Sequence, residues 1–199
     1  MAVAPNTPAL SPPRTLADAL LPRAKTSVAT DIALVVGATL FLALCARISI
    51  PLPGTPVPIT GQTFGVLLTG MLLGCRRGAL ALALYLAEGG VGLPVFAGGS
   101  FGFVHLIGPT AGYLWSYPFA AALMGLLAER GWDRRPATSA LAMAIGSTLI
   151  LAAGTLYLAL FIGDLHKAFL MGAAPFVLGD AIKMLAATFL VPAGWKTVR

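Results

Sequence analysis

Charge is what this chain of 199 residues lacks: only 10% of its residues are Asp, Glu, Lys or Arg. Average usage is about a quarter, and a soluble domain with so few charges could not keep its surface wetted. With a mean hydropathy of +0.89, the composition is that of an integral membrane protein. Cysteine is also scarce. Cys45 and Cys75 are the only two, and the topology derived below sets them near opposite membrane faces as small apolar fillers, with no disulfide between them. His105 and His166 are the only histidines, too few and too far apart for a metal centre, so neither a metal nor a cofactor is assigned. No GxxxxGK[ST] or HExxH is present, nor any cluster of membrane carboxylates. The phosphate-cradling loop and the zinc-protease helix are therefore missing, and no catalytic residue is assigned.

What is present is a succession of apolar runs. Candidate spans lie near 32–46, 60–74, 78–95, 109–128, 138–162 and 172–193, giving an all-α integral membrane fold of six transmembrane helices. A signal-peptide reading of the first run fails, because its removal would leave five apolar spans, and Leu44 before Cys45 is too large for lipoprotein processing. The second and third runs are short, being interrupted by Arg76 and Glu88; short spans are tolerated where backbone lines a protein cavity. Residues 1–28, rich in Pro, Ala and Ser, read as a flexible cytoplasmic tail before a membrane domain over 29–195 and a cytoplasmic end at 196–199. No internal repeat is visible.

The basic residues set the orientation. Arg14, Arg23, Lys25, Arg76, Arg77, Arg130, Arg134, Arg135, Lys196 and Arg199 all fall on one side, with Arg47 and Lys167 the exceptions. The positive-inside rule then places both termini in the cytoplasm, as expected of a multi-pass protein of a bacterial inner membrane, with Trp132 and Trp195 at the inner lipid interface. The net charge of +6 is explained by topology, since it forms neither a face nor an arm for nucleic acid. On the outer side lie 48–62, 88–112 and 163–175. Pro51, Pro53, Pro56 and Pro58 stiffen the first of these into a lid-like segment. The glycines of the second allow backbone to approach a ligand.

FVLGDAIKMLAATFL, residues 176–190, carries Asp180 and Lys183 inside the last span. A charge at mid-bilayer costs at least about 2.5–3.5 kcal/mol, so such groups face a protein interior and mark ion or substrate sites. Spaced three apart, the two share a helix face, about 12 and 16 Å from the outer end at 1.5 Å per residue. Thr60, Gln62, Thr63, Tyr113 and Glu88 stand at outer ends of spans. Together with the acid and the amine they would line a pocket for a small, partly polar, partly apolar molecule. Other readings remain open at this point: an ion pair that only locks helices, a stand-alone secondary transporter of a small vitamin-like solute using Asp180 as a protonatable group, Thr and Gln as caps, or Tyr113 as a belt residue. Ala29, Ala33 and Gly37 recur every four residues on the first span, a small-residue stripe on which a helix of this bundle or of another protein can pack; Ala79, Ala83 and Ala87 form a similar row.

PVPITGQT (56–63), GLPVFAGG (92–99), GPTAGYL (108–114) and GDAIK (179–183), in this order and spacing, resemble the BioY family, biotin-binding membrane subunits of energy-coupling factor transporters. The similarity runs from about residue 30 to 195. The proline-rich tail is extra, and Ser100 and Phe101 interrupt a stretch that is more glycine-rich in the family. The resemblance implies six helices, both ends inside, and a biotin pocket near the outer face closed by the first outer loop. It implies that Asp180 and Lys183 contact biotin, the carboxylate accepting from a ureido N–H and the ammonium donating to its carbonyl. Phe96 and Val95 are then expected as apolar walls for the sulfur ring, and Gln62, Tyr113 or loop N–H groups as contacts for the valerate carboxylate. The stripe Ala29, Ala33 and Gly37 is expected to dock on a transmembrane coupling subunit that also binds two ATPase subunits. Lipid surrounds the bundle, and self-association into a homo-oligomer is left open.

Overall fold

The computed structural model describes residues 15–21 and 27–197; within the last helix, residues 178, 181–184, 186 and 187 are described by their backbone alone. The described residues form a helical bundle. Its long members are α2 (Val28–Arg47), α3 (Gln62–Leu73), α4 (Cys75–Gly90), α6 (Ala111–Glu129), α7 (Pro136–Ile162) and α9 (Phe176–Thr197). Short helices α1 (Leu16–Leu20), α5 (Val104–Ile107) and α8 (Leu165–Gly172) and a two-stranded hairpin, β1 (Ser49–Ile50) with β2 (Ile59–Thr60), complete it. Among the described residues α2, α6 and α7 are long and apolar enough to cross a membrane. α3 and α4, with 12 and 16 residues, are the short members expected from Arg76 and Glu88. α8 lies within 163–175, a segment expected as an outer loop, and α9 starts after Pro175, a residue that resists continuation of a preceding helix.

α6 is the axis of the bundle. Of its apolar window 67% is buried inside the protein, against 11% for α2, and it packs on α3, α4 and α7. Small residues permit that. A Cβ at Gly70 would lie 2.4 Å from the Ala121 carbonyl oxygen, so only glycine lets α3 approach α6 this closely. α3 and α4 are joined through Gly74 alone, at φ +87°, a conformation other residues rarely adopt. The N–H of Cys75 that opens α4 donates to the Glu129 carboxylate at 2.8 Å, as an unsatisfied helix N-terminus favours. α2 lies at the periphery and exposes Val28, Ile32, Val36, Leu40 and Leu44, every fourth residue, while Ala38, Thr39, Leu42 and Ala46 face inward. An apolar stripe of this kind suits lipid.

Two expectations change. Residues 15–21 of the stretch expected to be a flexible tail are helical and docked: Thr15 caps α1, Leu16 and Ala17 are buried, and Arg77 of α4 pairs with Asp18 at 2.6 Å and with Asp31 at 2.7 Å. The anchor is Leu16, which fills the notch left by Gly194 of α9. The remainder of that stretch, 1–14 and 22–26, lies outside the described residues, as do 198 and 199. Trp195 is buried rather than facing lipid, because its indole N–H donates to Asp133 at 2.5 Å and its ring carries the Arg134 guanidinium 4.7 Å from the centroid. Burial pushes the Asp133 carboxyl above its usual range, opposed by the bond from Trp195.

Candidate functional site

The hairpin, the segment between α4 and α6, and the α8 end gather at one end of the bundle. β1 and β2 pair antiparallel, Ser49 with Thr60 and Ile50 with Ile59, so the proline-rich stretch 51–58 projects as a strap. It turns at Gly54 (φ +82°) and is pinned by Thr55, whose hydroxyl donates to the Met171 carbonyl of α8 at 2.8 Å. Its root is tight: a Cβ on Gly61 would come 2.5 Å from the Cys45 carbonyl oxygen. The second segment turns at Ala97–Gly99, with Gly98 and Gly99 at positive φ, and drives Phe96 inward until it is only 2% exposed. Arg47 holds this segment through a bond to the Pro94 carbonyl at 3.1 Å. Lys167, the other basic residue at this end, is 3.5 Å from Asp164.

Under the strap lies a cavity of about 540 Å³, within the usual range of small-molecule sites, about 300–1,000 Å³. Thr60, Gln62, Phe96 and Tyr113 all line it, as does Thr63. Their polar atoms are ordered by one another. Tyr85 donates to the Val95 carbonyl at 2.6 Å, so its oxygen must accept from Gln62, whose Nε2 is 2.7 Å away. This fixes the amide: Oε1 accepts from Thr60 at 3.1 Å. The Tyr113 hydroxyl donates to the Gly172 carbonyl at 2.7 Å and is thereby turned toward α8. Its ring occupies a notch at Gly154, where a Cβ would overlap it.

Asp180 is 3% exposed and is not itself in the described wall. It sits one side chain behind, accepting from Thr63 at 3.2 Å and from Ser147 of α7 at 2.8 Å. Lys183 follows three residues later on α9, and its side chain lies outside the described residues. Glu88 does not reach the cavity; its carboxylate accepts from Thr39 of α2 at 3.1 Å and ties those helices together. Ala29, Ala33 and Gly37 are exposed, and a Cβ on Gly37 would meet nothing within 4 Å among the described residues. The described helices of this bundle leave that stripe uncovered.

Sequence reasoning missed Tyr85, His105, Tyr117 and Ser147. Tyr85 had a signal, a lone aromatic hydroxyl in the Ala/Leu run of α4. His105 was weighed only as a metal ligand, yet it lines the cavity and meets Phe96 edge-to-face at 5.8 Å. Ser147 is one of several hydroxyls on α7 and nothing local singles it out.

A family model, the BioY family, matches residues 17–199. The chain belongs to the BioY family. A chain from Pyrococcus horikoshii named a probable biotin transporter BioY is 39% identical over 154 residues, covering 76% of this chain and 89% of the relative. A biotin transporter BioY from Thermotoga maritima is 40% identical over 156 residues, 76% of this chain and 88% of that one. The crystal structure of the S-component for biotin from an ECF-type ABC transporter superposes with a TM-score of 0.74 over 84% of this chain and 92% of that chain, at 24% identity. That likeness shows that the two chains share a fold.

Proposed function

We propose that this chain takes up biotin: it is the substrate-capturing membrane subunit of an energy-coupling factor transporter in a bacterial cytoplasmic membrane. Its six long helices span the bilayer with both termini inside, and the strap and cavity face outward. The observation that carries the reading is the convergence of the motifs. The first supplies Thr60, Gln62 and Thr63 to one cavity, the second Phe96, and the third Tyr113, while Asp180 of the fourth is joined to that cavity by the hydroxyl of Thr63. A family resemblance carried by dispersed segments is thus matched by one place in space.

The chemistry suits the solute. Biotin offers two ureido N–H donors and a carbonyl acceptor on an apolar bicycle. Thr63, which gives its proton to Asp180, can meet a ring N–H only as an acceptor. Asp180 supplies the negative charge behind it and Lys183 the donor for the ureido carbonyl, while Phe96 offers an apolar wall. Proline stiffness in the strap lowers the ordering cost of closing over the guest. ATP is supplied with partners: the uncovered stripe Ala29, Ala33 and Gly37 is the docking face for a transmembrane coupling subunit that in turn binds two ATPase subunits.

Radiolabelled biotin retained by the detergent-purified chain tests the reading. The expected result is retention by wild type and strong loss in Asp180→Asn and Lys183→Met variants that keep wild-type melting temperatures without ligand. Normal retention by both variants defeats the site assignment, and absence of retention by wild type defeats the function.

A further inference from the structure

We propose that His105 is the specificity-determining residue that holds the carboxylate of the captured solute. The proposal rests on the biotin reading above and adds to it the group that recognises the acidic end. His105 belongs to the short helix α5, where its ring stands against Phe96 at 69° between planes and faces the cavity. It is half-buried, and its ring nitrogens have no hydrogen-bond partner among the described residues. A half-buried imidazole with unengaged nitrogens on a cavity wall is free to take a partner from inside the cavity.

The donors of the wall lead to the same residue. The hydroxyl protons of Thr55, Thr60, Thr63, Ser100 and Tyr113 are given to protein acceptors, as is one amide proton of Gln62. What remains among the described wall side chains is neutral, the hydroxyls of Ser49, Thr110 and Tyr117 and the second amide proton of Gln62, with one exception. His105 alone in that described wall can carry a positive charge. A carboxylate entering a largely apolar cavity needs a charged donor, since N⁺–H···O⁻ bonds are about twice as strong as neutral ones. The ring ladder also separates the two tasks. From Gln62 the contacts run through Tyr85 to Phe96 at 5.6 Å and on to His105 at 5.8 Å, so two ring contacts separate the imidazole from the tyrosine that orients the amide. A bicycle held at Gln62 and Thr63 directs its flexible tail toward His105.

The polar and charged groups packed near His105 are engaged elsewhere or neutral. α4 carries Tyr85, engaged with Gln62 and Val95, and Glu88, engaged with Thr39 of α2. α6 carries Tyr113 and Tyr117, and Arg47 of α2 is bonded to Pro94 on the segment that holds Phe96. His105 therefore gives an entering carboxylate the one donor of that described wall that can carry a charge.

Equilibrium binding of biotin and of its neutral amide to the purified full chain tests the assignment. The expected result is biotin bound about tenfold more tightly than the amide, the worth of one charged hydrogen bond. His105→Gln should bind biotin about tenfold more weakly than wild type and bind the amide as wild type does. Equal affinities for biotin and amide on wild type, a comparison that needs no variant to fold, overturn the proposal. So does a His105→Gln protein that keeps the wild-type preference for biotin. If wild type binds neither ligand, the biotin reading itself falls and this assignment with it, whereas equal binding of the two by wild type sinks the role of His105 and leaves that reading standing.

Discussion

Asp180 illustrates how far a residue can be understood from its type. A carboxylate in an apolar span had to find donors, and it finds them in Thr63 and Ser147. That it stands behind the wall, with Thr63 between it and the cavity, is a matter of side-chain directions on α3, α7 and α9. Tyr113 shows the opposite dependence. Its position is set by what is missing at Gly154, and a methyl there would overlap the ring. Gly154→Ala is therefore expected to cost about 1–3 kcal/mol of stability, to break the bond from Tyr113 to Gly172, and to weaken biotin binding; melting temperature and retained ligand check both effects. A variant as stable and as retentive as wild type would show that α7 yields at that point without moving the tyrosine.

The strap between β1 and β2 is built from local rules and held by one distant bond. Prolines make it stiff, Gly54 turns it, and the two-residue ladder sets its register. Among the described residues, the bond from Thr55 Oγ1 to Met171 O secures its tip to α8. Thr55→Val keeps shape and removes the hydroxyl, leaving a part-buried carbonyl without that donor, at a cost of about 1 kcal/mol. The expected outcome is faster ligand release, several-fold in koff, with the melting temperature of the empty protein lowered by about 2–4 °C; dissociation of labelled biotin and thermal melting measure the two. The stiffness of this segment was legible from its prolines. Its anchor was not, because residues 55 and 171 are brought together only by the packing of α8 against α7. The same reason explains α1: Leu16 and Ala17 sit in a stretch whose composition resists structure, yet Gly194, far along the chain, supplies a notch for Leu16.

For the molecule as a whole, charge distribution predicts orientation. In a chain with Cys45 and Cys75 replaced by Ala, a membrane-impermeant thiol reagent should label Val91→Cys in intact cells, since Val91 is 83% exposed at the strap end. Thr197→Cys, exposed at the other end of α9, should be labelled only after permeabilisation. The reverse pattern would invert the topology and put the cavity on the cytoplasmic side. Six apolar runs, two of them short, were readable because the requirement for satisfied backbone in lipid leaves helices as the economical solution for such runs.

From the residues alone came the membrane class, the runs that become α2, α3, α4, α6, α7 and α9, the stiffness of the strap, and the need of Asp180 for a polar setting. All of these follow from composition, helical rise and the cost of charge in an apolar medium, which act along the chain. The tertiary structure decided which polar groups face the cavity and which are used up holding it: Gln62 oriented by Tyr85, Glu88 turned to Thr39, Thr63 placed between Asp180 and the void, and His105 set in the wall against Phe96. Those outcomes depend on contacts between helices remote in sequence, where small residues such as Gly70 and Gly154 set how closely two helices approach. No local pattern records that distance.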